Sequence, residues 1–221
     1  MNYFKNAIAI KEEFLSATIS TIYMVFFTAI IAGIIGLILG IILTVTERDG
    51  ILENKIVNSL LDKIINLFRS IPFIILLAIL APLTRVIVGT RIGEKAAIVP
   101  LVFGTFPFFA RQVQNVLLEV DSGIIEAAEA MGSSEIEIIT RVYLKESLPS
   151  LIRVCAITLI SLIGLSAMAG AIGAGGLGKL AIAQGYNRFQ DDVTLVSMFI
   201  ILIIVYIIQG ISNILIKKTI H

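Results

Sequence analysis

Charge is what this sequence has least of. Asp, Glu, Lys and Arg make up 15% of its 221 residues, against about 25% in a soluble domain. That shortage excludes an ordinary soluble fold, and a 57% hydrophobic content with mean hydropathy +1.00 points to a membrane. A formal net charge of +1, with no run of five basic residues, gives no footing for a nucleic-acid partner. The single cysteine, Cys155 in RVCAITLI, excludes an internal disulfide and reads as a small apolar packing residue. The single histidine, His221, is the last residue, where a frayed terminus leaves it without partners for catalysis or a metal. A Walker A pattern is also missing, so the chain itself should hold no nucleotide.

What is present is long apolar sequence. Phe14 to Thr46 carries no charge, which is ample for one crossing of about 20 residues. Its apolar part is too long for a signal peptide and no A-x-A cleavage site follows, so it should stay in the protein. Val154 to Gly178 and Val193 to Ile216 are likewise uncharged. The middle is less simple. Ser70–Thr84 and Ala96–Ala110 hold 15 uncharged residues each, about 22 Å of helix. Pro72 and Pro82 interrupt the first, Pro100 and Pro107 the second. Flanking residues can extend both, with Arg69 and Arg111 snorkelling near one membrane face. Proline-broken spans suit the lining of a pathway, where freed carbonyls meet protein or water. Kinking for bundle shape is the alternative. The expectation is an all-α bundle of five spans, at about 18–45, 62–84, 95–117, 151–171 and 193–216.

Basic residues set the orientation. With the N-terminus outside, ten fall inside and seven outside, which favours a cytoplasmic C-terminus. Gly33, Gly36 and Gly40 share a helical stripe suited to close helix packing. The stretch SAMAGAIGAGGLG formally contains G-x-G-x-x-G at Gly173, Gly175 and Gly178. It follows a membrane span and lacks an acid about 20 residues on, so a dinucleotide site is excluded. A flexible, tightly packed end to span four is expected there. Ser166, Met168, Gly170 and Gly173, with Pro72 and Pro107, are either packing residues or the lining of a narrow passage.

One interval is polar. EAAEAMGSSEIEIITRVYLKESLP, from Glu126 to Pro149, reads as two short helices around a glycine. Asp121 or Ser122 caps the first and Gly132 ends it. Ser134 and Glu137 stand in capping-box relation and open the second. On that helix Ile136, Ile139, Val142 and Tyr143 should share the apolar face. Five glutamates against Arg141 and Lys145 fit a protein partner better than lipid headgroups.

Glu126-Ala127-Ala128, Gly132 six positions after the glutamate, and Leu148-Pro149 resemble the EAA loop of bacterial ABC-importer permeases. Glu146 departs from that pattern, where an apolar residue is usual. FRSIPFIILL, TRVIVGT, AAIVPL, PFFARQV and SAMAGAIGAGGLG are similar to the methionine-importer permeases, over nearly the whole chain. The resemblance implies one transmembrane domain over 1–221, with a coupling loop at 118–150 using Glu126, Ala127, Ala128, Gly132, Arg141, Leu148 and Pro149. It further implies a homodimer in the bacterial inner membrane, bound to a cytoplasmic ABC ATPase dimer that holds the ATP and Mg. A substrate-binding lipoprotein would stand outside. The implied function is import of methionine, including D-methionine and close analogues, with no catalysis in this chain. Another small polar solute, or an ion-coupled carrier of a small amino acid, are the alternatives. The uncharged spans contain no Asp or Glu for a proton relay, which argues against the carrier. A membrane assembly or scaffold protein would need neither pathway nor ATPase.

Overall fold

The computed structural model describes residues 3–219, so His221 lies outside the described residues. Every regular element among them is helical. In chain order these are α1 (Lys5–Ala9), α2 (Lys11–Val45), α3 (Lys55–Ser70), α4 (Phe73–Val88), α5 (Glu94–Leu117) and α6 (Ser122–Ala130). There follow α7 (Glu135–Glu137), α8 (Leu144–Glu146), α9 (Leu148–Ala169), α10 (Gly176–Lys179) and α11 (Asp191–Thr219). Wide π turns at Ile138–Tyr143 and Leu180–Gly185, and a kink within Gly170–Ala174 where Ile172 and Gly173 leave helical dihedrals, link the short pieces.

Four of these helical segments are long and apolar enough to cross a membrane. A fifth crossing arises if α3 and α4 count as one. They are not one straight helix, because the chain turns by 108° between them. Pro72 explains the break: it forces Ile71 into an extended conformation (φ −84°, ψ 122°) and starts α4 as its N-cap. Of the two prolines expected to interrupt the span at about 62–84, Pro72 is the one that breaks the chain. Residues 55–70 form a separate amphipathic helix, capped by Asn54, whose Oδ1 accepts from Ile56 and Val57 N–H at 3.2 and 3.1 Å. Ile65 on its apolar face is fully buried against Leu43 and Ala110. Pro82, Pro100 and Pro107 do not interrupt their helices; α4 and α5 run through them.

The helix α5 is the centre of the bundle. Its apolar window is 61% buried, whereas that of α11, at the periphery, is 6% buried. Glycine lets α2 lie directly on it: a Cβ on Gly40 would stand 2.6 Å from Val113 Cβ, and one on Gly36 3.0 Å from the Phe106 carbonyl. Gly33 takes no part, since a Cβ there would meet nothing within 4 Å.

One further expectation changes, and Arg111 gains partners the sequence did not show. Its guanidinium binds Asp62, Asn66 Oδ1 (3.2 Å) and Gln114 Oε1 (2.6 Å), and Gln114 in turn donates to Glu47 (3.1 Å). This chain of bonds rivets α3 to α5 and to the end of α2. Cys155 is exposed rather than packed. Beside it α9 and α11 leave an open apolar groove that includes Leu148, Leu159, Ile208 and Leu215.

Candidate functional site: a helical elbow and a glycine hinge

The polar interval folds as an elbow whose conformation is over-determined by local bonds. Asp121 caps α6 by accepting from Gly123 N–H at 2.7 Å. The helix ends in a Schellman turn: Gly132 N–H bonds the Glu129 carbonyl (2.9 Å) and Ser133 N–H the Ala128 carbonyl (3.1 Å). That turn needs a left-handed residue, and Gly132 has φ +79°. Ser134 and Glu137 then form the capping box, with Glu137 Oε2 accepting from Ser134 N–H (3.2 Å) and its hydroxyl (3.0 Å). These two bonds, and after them Arg141 at 3.4 Å, hold the Glu137 carboxyl below its usual range.

Beyond the box the helix widens. The π turn over Ile138–Tyr143 brings residues five apart onto one side, so Ile138 and Tyr143 are both buried. Ile139 and Val142 are half-buried, while Ile136 is 72% exposed. The expectation that Ile136 belongs to the buried face is thus corrected; an α-helical period does not describe this segment. Burial, and then the Glu129 charge, pushes the Tyr143 hydroxyl up from its ordinary value.

Ala128, Ile138 and Tyr143 join Phe109, Val113 and Leu117 of α5 and Leu151 and Val154 of α9 in one apolar cluster. The elbow is therefore cemented to two long helices at once. Its other side is open. Glu126 and Ala127 are exposed there, with Met131 at 79% and Ile136 at 72%. That side thus carries protruding apolar side chains among carboxylates, on a rigid support. Arg141 is exposed and engaged with Glu137. Leu148 is exposed, and Pro149 sits in the first turn of α9, where its missing N–H costs no bond.

At the far end of α9 the chain reverses through glycines. Gly173, Gly175 and Gly176 have φ of +114°, +96° and +71°. Packing is close: a Cβ on Gly170 would lie 2.5 Å from the Gly175 carbonyl, and one on Gly178 2.2 Å from the Ala167 carbonyl. Leu177 N–H bonds Thr21 Oγ1 at 2.9 Å, tying this hinge to α2. Of the candidate pathway residues, Gly170 and Gly173 meet in the hinge. Ser166 is buried and donates to the Ile163 carbonyl at 2.8 Å, and Pro107 is buried within α5. Pro72, Met168 and Gly173 are exposed on the chain.

Sequence reasoning missed the Arg111–Asp62 network and the amphipathic character of α3. A signal for the second was present, since Asn54 precedes apolar residues at Leu61, Ile65 and Phe68, with Asp62 and Lys63 between them and Lys55 and Arg69 flanking them.

Helices long enough to span a bilayer, an acid-rimmed elbow clamped onto them and a glycine hinge together define a membrane transport subunit rather than an enzyme. The model of the binding-protein-dependent transport system inner membrane component matches residues 36–220, and the chain belongs to that family. It is 42% identical to the probable D-methionine transport system permease protein MetI of Vibrio cholerae, over 96% of this chain and 94% of the relative. The corresponding protein of Pasteurella multocida is 47% identical over 93% of this chain and 94% of its own. An inward-facing structure of the MetNI methionine ABC transporter superimposes with a TM-score of 0.94 at 42% identity, covering 96% of this chain and 99% of that one. An ion-coupled carrier is not favoured by this membership.

Proposed function

We propose that the chain is the permease subunit of an ATP-driven methionine importer, working as a homodimer with a separate ATPase pair and an external binding lipoprotein. The elbow carries the reading. Its exposed Glu126, Met131 and Ile136 offer a partner surface, and its buried Ala128, Ile138 and Tyr143 pass any push to α5 and α9. ATP and Mg would reside on the partner, and this chain would carry coupling residues only. The methionine relatives give the substrate. Reconstitution with the ATPase and the binding lipoprotein tests it: methionine uptake should require ATP hydrolysis and ignore an imposed proton gradient. Gradient-driven uptake without ATP would sink the reading.

The proposed topology has five crossings, with α3 and α4 together making the second, the elbow in the cytoplasm and the hinge outside. Reporters placed at the N-terminus should register outside, and reporters near Gly132 and the C-terminus inside. Both termini on one side would remove the model. The proposed pathway lies on the dimer axis. Met168, 43% exposed on α9, should cross-link to its own copy as Met168→Cys in a background lacking Cys155. Absence of self-cross-links from Met168 and the exposed residues of α4 would rule out that axis.

A further inference from the structure

The groove between α9 and α11 is large enough to hold a ligand. Its volume is about 550 Å³, within the ~300–1,000 Å³ typical of binding pockets. It follows α9 from Leu148 to Leu159, about 16 Å at a rise of about 1.5 Å per residue. That is close to half of a ~30 Å hydrocarbon core, the depth of one leaflet. Ile152, Ile208 and Leu215 make its walls apolar. It opens at the elbow end of the bundle, where Leu144 and Leu148 form its rim.

Three observations identify the occupant. The first is charge at the mouth. Lys145 stands three residues before Leu148 on one wall, and Lys218 three residues after Leu215 on the other. Residues three apart share a helix face, so both long side chains can reach the opening. Both are exposed, and among the described residues neither has a carboxylate within salt-bridge distance. No described acid lines the groove.

The second is Ser212, which is 8% exposed and carries the only hydroxyl in the groove wall among the described residues. On the same helix Ser197 donates to the carbonyl four residues back at 2.8 Å. Ser212 makes no such bond among the described residues. Nor is its oxygen sealed away, unlike the unpartnered hydroxyls of Thr28, Thr84 and Thr105. A donor thus stays open to an acceptor about 9 Å along α11 from Lys218. The third observation is direction. Met168, set on the proposed dimer axis, follows Leu159 by two and a half turns of α9. The groove therefore faces away from that axis, toward lipid and not toward a second copy.

We propose that the groove is a binding site for one anionic phospholipid. An acyl chain fills the groove, Ser212 donates to an ester carbonyl, and Lys145 and Lys218 hold the phosphate. A zwitterionic headgroup would bring its own cation against both lysines, which disfavours it. Resting on the proposed topology, in which the elbow end is cytoplasmic, the lipid comes from the inner leaflet. Phe109 and Leu151 line the groove and also belong to the cluster that seats the elbow. The lipid therefore fastens α11, whose apolar window is only 6% buried, to the support of the elbow.

Cys155, exposed in the groove and the single cysteine of the chain, is a ready reporter. The full-length chain in detergent micelles is alkylated with N-ethylmaleimide while phosphatidylglycerol, or phosphatidylcholine with the same acyl chains, is titrated in. Phosphatidylglycerol should slow alkylation as it occupies the groove and raise the melting temperature. Phosphatidylcholine should do neither at the same concentration. The double variant Lys145→Gln/Lys218→Gln should bind phosphatidylglycerol about tenfold or more weaker, since each lysine near a lipid surface contributes about fivefold. Ser212→Ala should lose about threefold with its hydrogen bond. Lys217→Gln should bind as wild type, because Lys217 lies about 200° around α11 from Leu215. The proposal is overturned if phosphatidylcholine protects equally, if the double variant binds undiminished, or if phosphatidylglycerol changes neither alkylation nor melting. Oxidative cross-linking of Cys155 to its own copy would assign the groove to a subunit interface and overturn it as well. Micelles have no sides, so these outcomes are independent of the topology, which the terminal reporters test separately.

Discussion

Gly132→Val protein should insert in the membrane normally and lose ATP-driven uptake. Nothing lies within 4 Å of a Cβ at this position, so no clash contributes. The whole effect comes from φ +79°, which costs an L-residue about 1–2 kcal/mol and is worse for a β-branched one. Such a cost is small against a folding stability of about 5–15 kcal/mol. The bundle therefore survives and the Schellman turn does not, which redirects α6 against α7. Gly132→Asn should retain much of the activity, since asparagine tolerates the left-handed region. Glu126→Lys reverses a charge on the exposed side of α6, and should weaken ATPase binding while membrane insertion stays normal. Co-purification of the ATPase and uptake in vesicles read both changes. Normal coupling in Gly132→Val would return the elbow to a lipid-surface role.

Gly40→Val should act on the fold itself. The new Cβ would stand 2.6 Å from Val113 Cβ and 2.7 Å from the Ala110 carbonyl. One of these atoms is backbone, so α2 must lift from α5. Overpacking of this kind costs about 1–3 kcal/mol, and between membrane helices close packing is itself the main cohesive force. The purified variant should melt earlier and yield less folded protein. Gly33→Val, which meets open space, should behave as wild type. Equal melting of the two variants would show that close approach of α2 and α5 is not what the glycines serve.

Local signals were legible in the sequence where local chemistry decides the structure. Asp121, Gly132 and the Ser134–Glu137 box work through bonds spanning two to five residues, and each stands where the spacing placed it. Long apolar helices were equally plain. What stayed hidden depends on geometry between elements. Pro72 and Pro82 look alike in sequence, yet the first turns the chain by 108° and the second is absorbed inside α4. Asp62 and Arg111, 49 residues apart, meet because α3 packs along α5 while tied to the end of α2. Ile136 and Ile138 exchange places because the helix around Tyr143 widens to a π turn, which no α-helical period anticipates. The resemblance to methionine-importer permeases identified the family, but it could not say that Ser166 is buried or that Cys155 is open to an apolar groove.

The clamped elbow and the glycine hinge sit at opposite ends of α9, and that separation gives the helix mechanical leverage. Its 22 residues, at about 1.5 Å each, make a rod of about 33 Å. Leu151 and Val154 fix one end of the rod to the elbow, and in the proposed coupling Gly170 through Gly176 would be the fulcrum at the other. A tilt of about 5° on that fulcrum sweeps the elbow end by about 3 Å. Read in reverse, a stroke of a few ångströms at the elbow would reach the glycine turn as a rotation of only a few degrees, small enough for a closely packed segment to absorb.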